Sequence, residues 1–194
     1  MELSAREFLA DRARRWETLT GSGLPGQLDA LARAAVACLQ AGAKILAFGN
    51  GGSAAQAQHL SGEMTGRFLR DRRPLPAMAL PAEASALTGI ANDYGYEEIF
   101  ARQIEAHGRP GDMALGLTTS GRSPNVVAAL RQAREMGLTA ALLSGGDGGE
   151  AAEAADLAVL VPSSETDFIQ EAHGAAIHYI CHCVEAAFAE GERA

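Results

Sequence analysis

The chain has 194 residues, of which 47% are hydrophobic and only 5% aromatic, and its formal net charge is −8. Because affinity for duplex nucleic acid rests largely on Lys and Arg that neutralise phosphates, a chain with 16 basic and 24 acidic residues is not expected to bind nucleic acid. The start lacks the apolar core of a signal peptide, and no apolar stretch is long enough for a membrane span, so we expect a cytoplasmic protein without membrane contact.

Two amphipathic helices are predicted before the first strand, at residues 4–18 and 26–41, because apolar side chains recur there at helical spacing. The length of the chain suits one domain, residues 1–194. We divide it into an N-terminal helical pair at 1–41 and an α/β core at 42–190.

Short apolar runs that end in glycine, proline or a hydroxyl follow, which is typical of strands buried on both faces. The predicted strands are residues 44–49, 77–80, 113–119, 139–144 and 157–162. Helical segments separate and follow them at 53–69, 83–107 (a pair), 124–136, 149–154 and 165–189. This alternation predicts an α/β fold in which helices flank a five-stranded parallel sheet. Ligands of such sheets bind at the carboxyl ends of the strands, near the point where the strand order reverses.

A glycine turn, GNGGSA, follows the first predicted strand. Gly49, Gly51 and Ala54 fit the spacing of a dinucleotide-binding turn. A nicotinamide-dependent dehydrogenase also predicts an acidic residue at the end of the second strand, but AMAL is followed by Pro81 and Ala82. The sequence therefore disfavours a nicotinamide cofactor.

A second turn, LTTSGRSPN at residues 117–125, follows the third strand. Ser123 is predicted to cap a helix whose first residue is Pro124. A tight turn with free N–H groups at a helix N-terminus favours phosphate binding, and the absence of a Walker lysine excludes a nucleotide P-loop. An ordinary helix cap is the alternative, but it leaves three hydroxyls without a role, those of Thr118, Thr119 and Ser120.

His59 and Glu63 lie four residues apart in a predicted helix, so both side chains face one direction. Such a pair can ligate a metal, and the alternative is a surface hydrogen bond or ion pair. Further candidate ligands lie in the last helix: Gln170, His173, His178 and His182. His178 and His182 could form a second metal-binding pair, but for His173 and His182 we expect solvated or hydrogen-bonded structural roles.

The ordered set of motifs resembles the sugar isomerase (SIS) family and, within it, the phosphoheptose isomerases. The resemblance runs from about residue 40 to residue 188. It rests on GNGGSAAQAQHLSGEMTGRF, PAMAL, IANDYGYEEIFARQIEAHGRPGD, TTSGRSPNV and IQEAHGAAIH. Either the GNGGS turn or the TSG turn alone would indicate only a SIS domain that binds sugar phosphates.

The resemblance implies a three-layer SIS fold and a homotetramer, with the N-terminal helices in the oligomer interface and active sites between subunits. It implies one divalent metal per subunit, usually zinc, held by His59, Glu63, Gln170 and His178. It also implies that a sugar phosphate is bound by Asn50, Gly51, Gly52, Ser53, Glu63, Asn92, Asp93, Thr118, Thr119, Ser120, Ser123 and Gln170. Arg122 stands where the family often has Asn, and Thr118 where it often has Ser.

The implied reaction converts sedoheptulose 7-phosphate to D-glycero-D-manno-heptose 7-phosphate, for ADP- or GDP-heptose and lipopolysaccharide core synthesis. Moving a proton between adjacent carbons requires a base, for which Glu63 is suited, and a second acid or base for the oxygens, for which we assign His178. The alternative is a non-catalytic SIS protein that binds the replication initiator DnaA, for which no His/Glu pair is needed.

Gln170 and His178 are eight residues apart, about 12 Å along the axis of a regular helix. One ion could hardly bind both residues from a single straight helix. Either Gln170 lies at or before an irregular helix start, or the ligands come from different subunits.

Overall fold

The computed structural model describes residues 4–189, so the predicted domain limits at residues 1, 190 and 194 lie outside the described residues. The helices are α1 (Ala5–Thr20), α2 (Leu24–Gln40), α3 (Gly52–Thr65), α4 (Ala84–Tyr94), α5 (Ala101–His107), α6 (Pro124–Glu135), α7 (Gly149–Glu153) and α8 (Thr166–Ala189). The strands are β1 (Ile45–Gly49), β2 (Ala77–Ala79), β3 (Met113–Leu117), β4 (Thr139–Gly145) and β5 (Leu157–Val161). Short 3₁₀ turns lie at Leu80–Ala82 and Tyr96–Glu98.

All five strands pair in parallel in the order β2-β1-β3-β4-β5, which confirms the predicted sheet. The chain moves from β1 to β2 on one side and then returns to β3 on the other, so the strand order reverses between β1 and β3. Gly49 and Leu117 pair at the carboxyl ends of these two strands. The turns that follow them are therefore neighbours, at the position where open parallel sheets bind ligands.

Alternate side chains of β1 enter two separate cores. Ile45 and Ala47 belong to a cluster shared with α2, α3 and α8, whereas Leu46 and Phe48 belong to a cluster shared with α5 and α6. Every residue of β1 is buried, as expected of a strand covered on both faces. The three-layer α/β fold is thus confirmed.

Helix α3 ends at Thr65, four residues before the predicted end. Gly66 follows it. The backbone C=O groups in the last turn of a helix have no N–H partner within the helix, and here Arg72 donates hydrogen bonds to them. The Arg72 guanidinium donates hydrogen bonds to the backbone oxygens of Glu63 (2.6 Å) and Met64 (2.9 Å). Residues 70–74, RDRRP, have the composition of a charged surface loop or an anion contact. Arg72 departs from this expectation, because its side chain is buried and is needed inside the protein.

The N-terminal helices pack on the same chain, and their place in an oligomer interface stays a prediction. Helix α2 lies against α8 and β5. Helix α1 is joined to the start of α8 by Arg12, which pairs with Asp167 and Glu171, and by the edge of Trp16 against Phe168. Among residues 4–189, no helix is long and apolar enough to cross a membrane.

His173 does not have the solvated or hydrogen-bonded role expected of it. Its side chain is 0% exposed in α8, and neither ring nitrogen has a hydrogen-bond partner. Burial lowers its pKa to about 4, because the charged imidazolium would lose its hydration. The ring is therefore neutral at physiological pH.

We expect His173 to make the fold sensitive to acid. The unfolded residue takes up a proton near pH 6.5 and the folded residue only near pH 4. The free energy of unfolding should thus fall as the pH drops from about 6.5 to 4, by about 3 kcal/mol from this group. Denaturant titrations of His173→Leu should show a weaker loss over this range, whereas the exposed-site control His107→Gln should behave as wild type. Equal slopes for His173→Leu and wild type would contradict this prediction.

Candidate active site

Glycines are required at two positions of the turn after β1, which we call the glycine corner (residues 49–53). A Cβ on Gly49 would lie 2.6 Å from the Leu117 oxygen and 2.8 Å from Ser53 Cβ, so only glycine allows β1 to approach β3 this closely. Gly51 has a φ of 55°, which side chains disfavour. These backbone requirements explain the pattern that resembles a dinucleotide turn.

Asn50 is fixed by two residues that sequence analysis missed. Its side-chain amide exchanges two hydrogen bonds of 2.9 Å with Asn125, which is only 1% exposed. The Tyr96 hydroxyl also donates to Asn50 Oδ1 at 3.0 Å. The glycine corner is thereby tied to α6 and to the turn after α4. Asn125 follows TSGRSP directly, but its partner lies 75 residues earlier and cannot be identified from local spacing.

The turn after β3, which we call the hydroxyl loop (residues 118–123), lies beside the glycine corner. Ser123 occupies the predicted N-cap position of α6, but its hydroxyl makes no capping bond. It lies instead 3.3 Å from the hydroxyl of the buried Thr118. Ser120 Oγ accepts the backbone N–H of Arg122 at 3.2 Å. A simple helix cap therefore does not account for Ser123, and its hydroxyl can contact a ligand.

A hollow of about 220 Å³ opens beside the hydroxyl loop. The start of α8 borders it, and its rim carries an exposed ion pair between Arg122 and Asp147 at 3.5 Å. Hydroxyls, a guanidinium and a helix N-terminus are groups that bind phosphate. The lining residues are Thr119, Ser120, Arg122, Gly145, Gly146, Asp147, Ser163, Ser164 and Thr166.

Three of the four predicted metal ligands meet where α3 packs against α8. His59 Nε2 lies 3.0 Å from His178 Nε2, and Glu63 Oε1 lies 3.7 Å from His59 Nε2. Ligands of a tetrahedral zinc at about 2.0–2.1 Å would be roughly 3.3 Å apart, which is close to the separation of the two His nitrogens. Within residues 4–189, no group of three His, Cys, Asp or Glu side chains is arranged as a complete metal site, so Glu63 would have to move closer to ligate the same ion.

Gln170, the fourth predicted ligand, lies elsewhere. Helix α8 is regular from Thr166, which excludes the alternative that Gln170 precedes an irregular start. Its side-chain Nε2 would be 2.5 Å from a Cβ on Gly52, and its backbone oxygen accepts from Gln56 Nε2 at 2.7 Å. Gln170 therefore covers the glycine corner, about 12 Å along the helix from His178.

The glycine corner and the His59 cluster lie at opposite ends of the sheet. Glu63 is eleven residues beyond Gly52, about 16 Å along the axis of α3. Near this end of α3, the Ser61 hydroxyl donates to the oxygen of Ala77, the first residue of β2, at 3.1 Å. The cluster is thus close to the amino ends of the strands, and the hydroxyl loop is at the carboxyl ends.

Asn92 and Asp93 are not brought to either location within one chain. Both are exposed on α4, and Asn92 Nδ2 donates to Asp93 Oδ1 at 2.8 Å. Asp93 lines a separate hollow together with Ser85 and Arg102. Among the described residues, neither side chain bonds to the glycine corner or the hydroxyl loop.

Phe68 forms an aromatic wall beside His178 and was missed in the sequence. Its ring centroid is 5.5 Å from that of His178 and 4.9 Å from that of His182, which it meets edge-on. Cys181 lies on the buried side of α8, where burial and the nearby charge of Glu63 raise the thiol pKa to about 12. This thiol therefore stays protonated at neutral pH.

Comparison with known proteins gives a consistent result. The SIS domain family model matches residues 7–145. A phosphoheptose isomerase from Paramagnetospirillum magneticum is 53% identical over 176 residues, which cover 90% of this chain and 92% of the relative.

Two solved structures extend the likeness to the whole fold. The phosphoheptose isomerase from Neisseria gonorrhoeae is 39% identical with a TM-score of 0.86, and the match covers 92% of this chain and 95% of that one. The one from Francisella tularensis is 33% identical with a TM-score of 0.88, covering 93% and 96%. The chain belongs to the SIS domain family and, within it, to the phosphoheptose isomerases, and it is an isomerase.

Proposed function

We propose that this enzyme converts sedoheptulose 7-phosphate to D-glycero-D-manno-heptose 7-phosphate, which would supply heptose for ADP- or GDP-heptose and lipopolysaccharide core synthesis. The observation that carries the proposal is the meeting of His59 and Glu63 on α3 with His178 on α8. The names of the three relatives described above, which are phosphoheptose isomerases, support the choice of substrate.

In the proposed mechanism, the hydroxyl loop binds the phosphate through its hydroxyls and backbone N–H groups. Glu63 removes the proton from one of the two reacting carbons and returns it to the other, passing through an enediol. His178 moves protons at the two oxygens, so that the carbonyl and hydroxyl exchange places. Asn50 and Gln170, beside the phosphate end, would orient the sugar hydroxyls.

We further propose one zinc ion per subunit, held by His59, Glu63 and His178. When bound, it would polarise the substrate carbonyl and stabilise negative charge on the neighbouring oxygens. Imidazole nitrogens and a carboxylate oxygen are donors that zinc prefers, which supports this choice of metal. Glu63 would then be both a metal ligand and the base. One carboxylate oxygen would bind the metal, and we assign proton transfer to the other.

The separation of the two binding regions supports a site built from more than one subunit. A seven-carbon sugar phosphate spans roughly 10 Å when extended, judged from bond lengths of about 1.5 Å. The distance along α3 from Gly52 to Glu63 is about 16 Å. We therefore propose that a substrate held at the hydroxyl loop of one chain reacts at the cluster of a neighbouring chain. In a homotetramer these two regions of different copies would face each other, and there Gln170 and Asn92 could approach the cluster of a neighbour.

The first test is turnover by the purified protein. Zinc-loaded enzyme with sedoheptulose 7-phosphate should yield a heptose aldehyde, chelator treatment should abolish the reaction, and added zinc should restore it. Turnover of a ketohexose phosphate but not of the heptulose would overturn the substrate assignment. Absence of both zinc and turnover would favour the non-catalytic alternative that binds DnaA.

The second test separates the roles of Glu63 and His178. In deuterated water, Glu63→Gln should lose exchange of the substrate carbon-bound hydrogen, and its kcat should fall by about 10²- to 10⁴-fold, the usual contribution of an acid or base. His178→Gln should slow turnover similarly. Zinc content of each variant is the control, because both residues are proposed ligands. Full exchange in zinc-loaded Glu63→Gln would remove Glu63 from the acid/base assignment, and wild-type kcat in zinc-loaded His178→Gln would remove His178.

The third test concerns subunit sharing. A Glu63→Gln chain and a Thr119→Ala/Ser120→Ala chain should each be nearly inactive alone. Their co-expression should restore a fraction of the activity, because some sites in mixed oligomers combine an intact cluster with an intact hydroxyl loop. Mixed oligomers without activity would show that each site lies within one chain.

A further inference from the structure

Glu185, on α8, is a buried carboxylate with no role in the proposed reaction. Glu185 is only 3% exposed to solvent. One oxygen, Oε1, accepts three backbone N–H groups, from Phe68 (3.1 Å), Leu69 (2.9 Å) and Arg70 (2.9 Å). Among residues 4–189, no Lys or Arg side chain forms an ion pair with it, so the three N–H groups compensate its charge.

The segment that Glu185 binds, residues 66–73, is also fixed to α3. Arg72, 7% exposed, donates to the backbone oxygens of Glu63 at the end of α3 (2.6 Å) and of Arg73 (3.0 Å). The segment is therefore held on one side by a carboxylate from α8 and on the other by a guanidinium that also binds α3. The position of its backbone is therefore set by both α3 and α8.

This segment carries the aromatic ring that borders His178. The Phe68 N–H is one of the three groups bound by Glu185, and the Phe68 ring lies 5.5 Å from the His178 ring. Glu185 is seven residues after His178, two helical turns later, and therefore on the same side of α8. His182 lies between His178 and Glu185 in the sequence. The centroid of its ring is 4.9 Å from that of Phe68, and the two rings are perpendicular.

We propose that Glu185 is a positioning residue: by fixing the backbone at Phe68, it holds the Phe68 ring against His178 and keeps the His178 imidazole directed at His59. The role rests on the proposed function of His178. An oxygen acceptor is required at this position, because an apolar side chain would leave three converging N–H groups without a partner. A glutamine side chain also carries an acceptor oxygen, so Glu185→Gln should retain part of the positioning role.

The test compares Glu185→Leu, Glu185→Gln and the control Val184→Ala, which removes a neighbouring core side chain of α8 and leaves the carboxylate of Glu185 and its three hydrogen bonds in place. We expect Glu185→Leu to lower kcat for the heptulose phosphate by about 10- to 100-fold, as displaced supporting groups do, with KM nearly unchanged. Glu185→Gln should recover most of the loss. Val184→Ala should lower the melting temperature but keep kcat.

Two readouts do not depend on turnover. Hydrogen exchange of the amides in residues 66–73 should accelerate in Glu185→Leu and not in Val184→Ala. The visible absorption spectrum of the cobalt(II)-substituted protein should change in Glu185→Leu, because His178 would be a displaced ligand. If Glu185→Leu does not fold, Phe68→Leu removes the ring contact alone and should show the same loss of kcat.

The outcomes separate the two proposals. Wild-type kcat and an unchanged cobalt spectrum in folded Glu185→Leu or Phe68→Leu, beside an active wild type, would overturn the positioning role alone. A wild-type protein without turnover or metal would overturn the proposed function and this role with it.

Discussion

The parallel packing of α3 against α8 determines the arrangement of every candidate site residue on these helices. Contacts between them advance together along both helices: Gly52 with Gln170, Gln56 with Gly174, and His59 with His178. At Gly52, a side chain would collide with Gln170, so the glycine sets how closely the helices approach at this end. If α8 were displaced by one residue along its own helical path, its side chains would turn by about 100° relative to α3 and all three contacts would be lost.

The same packing gives the two ends of the helix pair different chemistry. The first end contains the glycine corner, Gln170 and, beyond it, the hydroxyl loop, which together offer N–H groups, amides and hydroxyls to an anion. The second end contains His59, Glu63 and His178, which offer lone pairs to a metal and to protons. At about 1.5 Å per residue, Gly52 is about 10 Å from His59 and about 16 Å from Glu63 along the axis of α3. The two kinds of chemistry are therefore carried by different turns of the same pair of helices.

Local patterns allowed most of the fold to be predicted, because the five strands are buried on both faces and glycine or a hydroxyl follows most of them. The His59/Glu63 pair could be found for a similar reason, since spacing of four residues determines a shared helical face. His173 shows an error that the sequence could have prevented. It lies within the apolar stripe of Ile169, Ala172, Ala176 and Ile177, so helical periodicity already placed it in the core. Asn125 and Tyr96 could not be predicted, because their contacts to Asn50 depend on how distant segments meet.

Arg72 and Glu185 were beyond sequence analysis for a more general reason. Charged residues are rarely buried, and RDRRP reads as a solvated loop. The segment they hold is irregular backbone lying against two helices, and such backbone has N–H and C=O groups that cannot pair with each other as in a helix. A carboxylate accepts several N–H groups at one oxygen, and a guanidinium donates to several C=O groups at once, so one residue of each kind meets this need. Their burial is therefore a consequence of the loop's shape. The same loop carries Phe68, whose ring borders His178. The buried charges that the loop needs in order to fold therefore also affect the geometry of the proposed catalytic group.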